Sequence, residues 1–237
     1  MRSDLPKVLH QAAGRPLVRW VVDAARQAGA RPIVLVVGYG RDQVKEALAG
    51  EEDLRFVTQE EQLGTGHAVG QAESLVRESG AEDVFVLCGD GPLVRPETLE
   101  RLARRRRETG AACALATATL DDPSGYGRTL RDEGGRFLGF VEEKNATPQQ
   151  LAIREVNPSY YCFEVGPLFA ALGKVERDAV SGEFYLTDVP PLLAKQGCRV
   201  EVVEGIEPEE ALSVNTPQQL AQAEQALLRR VEGPAGR

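Results

Sequence analysis

A carboxylate at the end of an apolar strand is a natural place for chemistry, and the segment VFVLCGDGPL (84–93) offers one in Asp90. In open α/β sheets, ligands sit outside the carboxyl ends of the strands. An aspartate there suits Mg²⁺, which takes one or two protein oxygens and leaves its other positions to phosphates and water. Asp90 reads equally as an ordinary turn former, and its position alone leaves the two readings even.

The segment TQEEQLGTGHAVGQA (58–72) is a second candidate. Gly64 and Gly66 flank Thr65 just before a helical pattern, offering backbone N–H groups and a hydroxyl to a phosphate or nucleotide. Gln59 and Gln62 carry both donors and acceptors, which suits a pyrimidine edge. His67 reads as a helix-start residue, because no carboxylate or nucleophile is paired with it in sequence, and His10 reads as structural. Gly127 in SGYGR, Glu142 in FVEEK, Asn157 in EVNPS and Asn215 in SVNTP each stand beside an apolar run. Singly, each reads as a turn residue. The G-x-G-x-x-Q of VVGYGRDQ lacks the third glycine of a dinucleotide fingerprint, and the next strand ends in Thr58 and Gln59 rather than an acid. It reads as an ordinary turn, and a dehydrogenase is rejected.

The elements that must hold these residues follow from the apolar pattern. Runs at 31–38, 53–59, 82–90 and 111–120 read as buried strands, separated by helical patterns beginning at Pro16, Arg41, Gly66 and Arg95. Such alternation predicts βαβ units and a mostly parallel sheet covered on both faces. Beyond residue 120, RFLGFVEEKNAT and REVNPSYYCFEV each read as a strand. TPQQLAQAEQALLRRV closes the chain as a helix, with Thr216 and Gln219 as capping partners. The run Arg104–Arg107 reads mostly as the solvated side of a helix whose buried face is Leu99, Leu102 and Ala103.

With 237 residues, 42% hydrophobic and 27% charged, the chain is of ordinary globular composition. Its net charge of −8 offers no basic field for nucleic acid or an anionic membrane. Cys88, Cys113, Cys162 and Cys198 form no C-x-x-C pair, so four reduced thiols are expected rather than zinc or disulfides. The amino end lacks the apolar core of a signal peptide, and a cytoplasmic setting is expected.

In order along the chain, SDLPKVLH, EEQLGTGHA, GD-x-PL, DDPSGYGR, the VEEK stretch, GEFYLTD (182–188) and SVN resemble the uridylyltransferase domain of bacterial N-acetylglucosamine-1-phosphate uridylyltransferases. The resemblance implies a three-layer, Rossmann-like α/β fold with a mixed, mostly parallel sheet of the nucleotide-diphospho-sugar transferase type. It implies a nucleotide-binding half (about 1–120), a sugar-binding half (about 121–215) and the terminal helix (216–231). The implied reaction joins UTP to N-acetylglucosamine 1-phosphate and releases pyrophosphate, for cell-envelope precursors. Carried over residue by residue, Asp90 and Asn215 match ligands of Mg²⁺, and Lys7 matches a phosphate-contacting lysine. Gln59, Gln62, Gly64 and Thr65 fall on the uridine side, with Cys88 and Gly89 beside Asp90. Gly127, Glu142 and Asn157 match the residues that hold the sugar. UTP and the sugar phosphate are the expected partners, with self-association left open.

Three departures accompany the resemblance. The family precedes its S-D-x-P-K motif with a buried strand and the loop L-A-A-G-x-G-T-R-M, and Met1 falls on that motif's methionine. The expectation is therefore a sequence that starts just after the phosphate loop, from a misplaced start, a truncation or a degenerate gene. A central strand between 31–38 and 82–90 would then be missing and the chain poorly stable and nearly inactive, since each unpaired buried backbone group costs about 1–3 kcal/mol. Second, Cys88 replaces the usual tyrosine, and Pro158-Ser159 replace Thr-Gly, which leaves acceptor identity less secure than reaction class. Third, no hexapeptide repeats follow, so neither an acetyltransferase nor its trimer is expected. Two other readings stay open: a relative using another sugar phosphate or nucleotide, and a non-catalytic nucleotide-sugar binder.

Overall fold

The computed structural model of the chain describes residues 4–232. Met1, Arg2 and Ser3 of the opening motif and the end of the EGPAGR tail lie outside the described residues. The chain enters through a short hairpin, β1 (Gln11–Ala12) and β2 (Arg15–Pro16). Pro16 caps α1 (Leu17–Gln27), whose buried face of Leu17, Val18, Val21, Val22 and Ala25 keeps the helical period. Then follow β3 (Ile33–Val37), α2 (Arg41–Ala47), β4 (Leu54–Thr58), α3 (Thr65–Gln71), α4 (Glu73–Glu78), β5 (Asp83–Val86) and α5 (Pro96–Thr109). The later part holds β6 (Cys113–Ala116), β7 (Ala118–Thr119), β8 (Arg128–Arg131), β9 (Phe137–Val141), α6 (Pro148–Leu151), β10 (Glu155–Val156), β11 (Tyr161–Glu164), α7 (Val165–Leu172), α8 (Val189–Lys195), β12 (Val200–Val203) and α9 (Pro217–Glu232).

The main layer is mixed. β3 and β4 pair in parallel, as do β12 and β6, while β11 runs antiparallel between β6 and β5. Alternation along β6 divides the core. Ala114 and Ala116 face α1 and α5, whereas Cys113 and Leu115 face α4, α7 and α8. A second sheet, ordered β7-β10-β8-β9, is wholly antiparallel. The closing helix α9 buries Ala223, Ala226 and Leu227 against Ala12 and Leu17, which ties the end of the chain to its opening hairpin. Thr216 and Gln219 form the reciprocal cap that the sequence predicts.

Several elements differ from the sequence reading. REVNPSYYCFEV is two strands rather than one, because Ser159 turns the chain at a φ of 63°, sending β10 to the small sheet and β11 to the main one. The run 111–120 likewise divides between β6 and β7. The helix read over 66–80 is broken at Ala72 into α3 and α4. Within the four-arginine run, Arg106 is 8% exposed, on the same helical face as Leu99, Leu102 and Ala103, and it pairs with Asp83 at 2.5 Å. Burial of a guanidinium there works only because that carboxylate faces it.

Among the described residues no strand lies between β3 and β5. An apolar slot of about 1230 Å³ separates them, running from Arg31 and Asp83 at one end to Lys7 and Asp90 at the other.

Candidate active site

The carboxyl ends of β3 and β5 are bridged by the segment Pro6–Val8. Pro6 packs on Gly40 beyond β3, and Val8 packs on Gly89 beyond β5. This places Lys7 directly over Asp90. The Lys7 ammonium pairs with the Asp90 carboxylate and donates to Asn215 Oδ1 at 2.8 Å. Ser213 Oγ donates to the other Asp90 oxygen at 3.2 Å, and Val214 N donates to the Asp90 carbonyl at 2.9 Å. Residues 7, 90 and 215 thus meet at one point, held by a backbone link between the turn after β5 and the approach to α9. Cys88 and Gly89 lead into this point. Burial, reinforced by the charge of Asp90, pushes the Cys88 thiol up to about 11, so it stays a neutral neighbour rather than a nucleophile. Tyr126 closes the same side, its hydroxyl against the Ser213 backbone, and burial raises its pKa.

The glutamine- and glycine-rich loop forms the neighbouring wall. Gln59 Nε2 donates to the Gly64 carbonyl at 3.1 Å and lies 2.9 Å from His67 Nδ1, and Gln71 lies 3.1 Å from the other ring nitrogen. His67 is held between two amides, in keeping with its structural reading. Gln62 is exposed and lies over Gly38 at the end of β3. Thr65 Oγ1 accepts from Leu186 N at 3.0 Å, and Gly66 N donates to the Phe184 carbonyl at 2.8 Å. Phe184 N in turn donates to the Leu63 carbonyl at 2.8 Å. The QLGTGHA and EFYLTD motifs are therefore one docked unit. Sequence reasoning treated Gly64 and Thr65 as ligand contacts only and missed this internal role, which no local pattern signals across 120 residues.

A third group lies beyond Tyr126. Glu142 faces Gly127, where an added Cβ would stand 3.5 Å from Glu142 Oε1. Burial is the main cause that raises the Glu142 carboxyl, the charge of Lys144 opposes it, and Asp188 adds to it. Asp188 is itself raised by burial and by Asp178. Sequence reasoning missed Asp188 as a neighbour of Glu142, although it ends the GEFYLTD motif. Asn157 is 8% exposed; its Nδ2 donates to the Tyr161 hydroxyl at 2.6 Å and its Oδ1 accepts from Ser159 N at 2.9 Å. In this structure its amide is bonded within the protein on both sides.

Among the described residues no cluster of three or more His, Cys, Asp or Glu could hold a metal ion. The donor set that exists, one carboxylate and one amide oxygen already holding an ammonium, suits a hard divalent cation that shares its remaining positions with phosphate and water. No described helix is long and apolar enough to cross a membrane.

Fold and site together define an α/β domain with a mixed central layer, whose polar groups gather at the carboxyl ends of its central strands. More particularly, the chain belongs to the MobA-like NTP transferase domain family, whose model matches residues 1–209. It is 46% identical over 232 residues to the bifunctional protein GlmU of Pelobacter propionicus, covering 98% of this chain and 50% of that protein. The same figure for the GlmU of Geobacter metallireducens is 46% over 223 residues, covering 94% and 47%. The chain thus spans about half the length of these relatives. In fold it is similar to a UDP-glucose pyrophosphorylase complexed with UDP-glucose, at a TM-score of 0.73 and 17% identity, covering 95% of this chain and 91% of that one.

Proposed function

We propose that the site transfers a uridylyl group from UTP to N-acetylglucosamine 1-phosphate, releasing pyrophosphate, with Mg²⁺ as cofactor and in the cytoplasm. The sugar phosphate oxygen attacks the α-phosphorus and the bond to pyrophosphate breaks. The observation that carries this reading is the cation already seated between Asp90 and Asn215: an ammonium from Lys7. Asp90 and Asn215 would hold Mg²⁺, and Mg²⁺ when bound offsets the charge of the phosphates. Lys7 brings a second positive charge to the same place, on a stem anchored by buried Pro6. Phosphoryl-type transfer needs positioning and charge more than a nucleophilic side chain, which accords with the raised Cys88 thiol. Gln59, Gln62, Gly64 and Thr65 form the base-side wall. Gly127, Glu142 and Asn157 form the sugar side, where Glu142 accepts hydroxyl protons as a carboxylate.

The test is pyrophosphate release from UTP with a panel of sugar 1-phosphates, with and without Mg²⁺. Mg²⁺-dependent release with N-acetylglucosamine 1-phosphate supports the reading, and preference for another sugar would move the acceptor. The panel matters because Cys88 hydrogen-bonds Ser159 and both sit where the resemblance departs. A second reading is a nucleotide-sugar binder with little turnover. It is favoured by the slot that opens beside Lys7 and Asp90. Tight UDP-N-acetylglucosamine binding without pyrophosphate release would select it, and absence of both would sink the two readings together.

Two further outcomes are expected. Lys7→Ala lowers turnover roughly 10²-fold, the scale of losing one charged stabiliser, yet lowers the Mg²⁺ concentration for half-maximal activity, because the ammonium no longer shares Asp90 and Asn215. A Mg²⁺ titration of both proteins checks this. For Glu142, the ionised form accepts the sugar hydroxyls, and its pKa is raised. The KM for the sugar phosphate therefore climbs as pH falls through that raised value, at a pH above that of an ordinary glutamate. Glu142→Gln gives a KM that is high and flat over the same range.

A further inference from the structure

We propose that the buried Arg128 guanidinium and the Glu143 carboxylate form a clasp that sets the position of the Gly125–Gly127 loop, which makes both of them positioning residues for the sugar side of the site. The inference deepens the uridylyl-transfer reading and rests on it. Arg128 is 2% exposed, and no step of the transfer uses it. Its Nη1 donates to the Tyr126 carbonyl and its Nη2 to Glu143 Oε2 at 3.1 Å. The same Glu143 oxygen accepts from Gly125 N at 2.7 Å. One carboxylate oxygen thus holds the loop at Gly125 directly and at Tyr126 through the guanidinium. Glu143 is itself exposed, so the clasp closes from the solvent side onto a buried cation. A buried ion pair is weak evidence for stability, since an apolar pair of similar volume often does as well. What this pair does is fix one arrangement of the groups it joins.

Those groups are the sugar side. Gly127 immediately precedes Arg128, and Glu142 immediately precedes Glu143. Asn157 follows Val156, the register partner of Arg128 across β8 and β10, and Asn157 N donates to the Gly127 carbonyl at 3.3 Å. Two consecutive carboxylates therefore meet one loop, Glu142 at Gly127 and Glu143 at Gly125. Gly125 and Gly127 give that loop little stiffness of its own, so an outside hold decides where it sits. The spacing between Glu142 and the Gly127 backbone is set in this way by a pair that acts through the backbone. Tyr126, with its hydroxyl against the Ser213 backbone, carries the other side of the loop to the segment that meets Asp90.

The test is Glu143→Ala in the whole chain, because an exposed side chain is removed without opening the core. The KM for N-acetylglucosamine 1-phosphate should rise about tenfold, the scale for a residue that acts on a site without touching its ligand. The KM for UTP, the Mg²⁺ concentration for half-maximal activity and the unfolding midpoint should stay close to the parent values. Glu143→Gln, which keeps one acceptor oxygen, should lie between the two. Two readouts need no turnover. UDP-N-acetylglucosamine should lose about tenfold of its affinity relative to UDP, and the Gly125 amide should exchange about tenfold faster or more. An unchanged sugar-phosphate KM, an equal rise in the KM for UTP, or a lower unfolding midpoint with both KM values unmoved would overturn the clasp and leave uridylyl transfer standing. A parent chain that neither releases pyrophosphate nor prefers UDP-N-acetylglucosamine to UDP would overturn that reading instead. Gly125 exchange then decides the clasp: faster exchange in Glu143→Ala upholds it as the anchor of the loop, and unchanged exchange overturns it.

Discussion

Asp90→Ala is expected to reduce Mg²⁺-dependent pyrophosphate release by roughly 10³-fold, the upper scale for losing one preorganised electrostatic contact in a transition state, while the unfolding midpoint stays close to that of the parent. The two halves of this expectation rest on different atoms. The side chain of Asp90 holds the Lys7 ammonium and takes the Ser213 hydroxyl, and both interactions vanish with the carboxylate. Its carbonyl, by contrast, accepts from Val214 N, and that bond survives any side-chain change and keeps the approach to α9 in place. Lys7 also retains Asn215 Oδ1, so no cation is left wholly unpaired. Asp90→Asn sharpens the test, since it keeps the shape and one acceptor oxygen but not the charge. If Asn restores turnover, the residue is a shape element and the cation assignment fails. Mg²⁺-dependent tightening of UDP-N-acetylglucosamine binding provides a second readout that does not require turnover.

Which parts of this site could be read from the sequence follows from how local each signal is. Asp90 ends an apolar run and precedes a proline, so its place outside the sheet was legible from ten residues. The cap of α9 was legible from four, Thr216 to Gln219. The meeting of Lys7, Asp90 and Asn215 was not, because no periodicity links positions so far apart; the resemblance supplied the set of residues and the structure supplies the contact. Arg106 illustrates the opposite failure. Charge argued for the solvent side, but its place on the face of Leu99, Leu102 and Ala103 puts it against Asp83, a carboxylate on another element. The strands read at 111–120 and 154–165 each divide because the chain changes sheets, and only Pro158 and Ser159 hint at it. β12, α7 and α8 were missed: VGPLFAAL follows YCFE without a turn signal, and RVEVV is too short to stand out.

Gly64→Ala carries the largest expected stability cost, about 3 kcal/mol or more, and it tests whether the two docked motifs act as one unit. Gly64 adopts φ 96° and ψ 178°, a region essentially reserved for glycine, where another residue pays about 1–3 kcal/mol. Space adds to that. A Cβ there would lie 2.6 Å from the Phe184 carbonyl oxygen and 2.9 Å from Glu183 Cβ, so the strand-like segment 183–186 must retreat. That carbonyl is the acceptor for Gly66 N, and the same segment supplies the Leu186 N–H that Thr65 accepts. Displacing it breaks paired groups rather than a flexible side-chain tip, so relaxation is not free. Thr65→Val provides the graded comparison: it removes one acceptor with the backbone unchanged and should cost only about 1 kcal/mol, near the net value of one hydrogen bond. Denaturant midpoints at equal slope would measure both. A Gly64→Ala loss no greater than that of Thr65→Val would mean the 183–186 segment moves freely, and that the wall beside Gln59 and Gln62 is set by the loop alone.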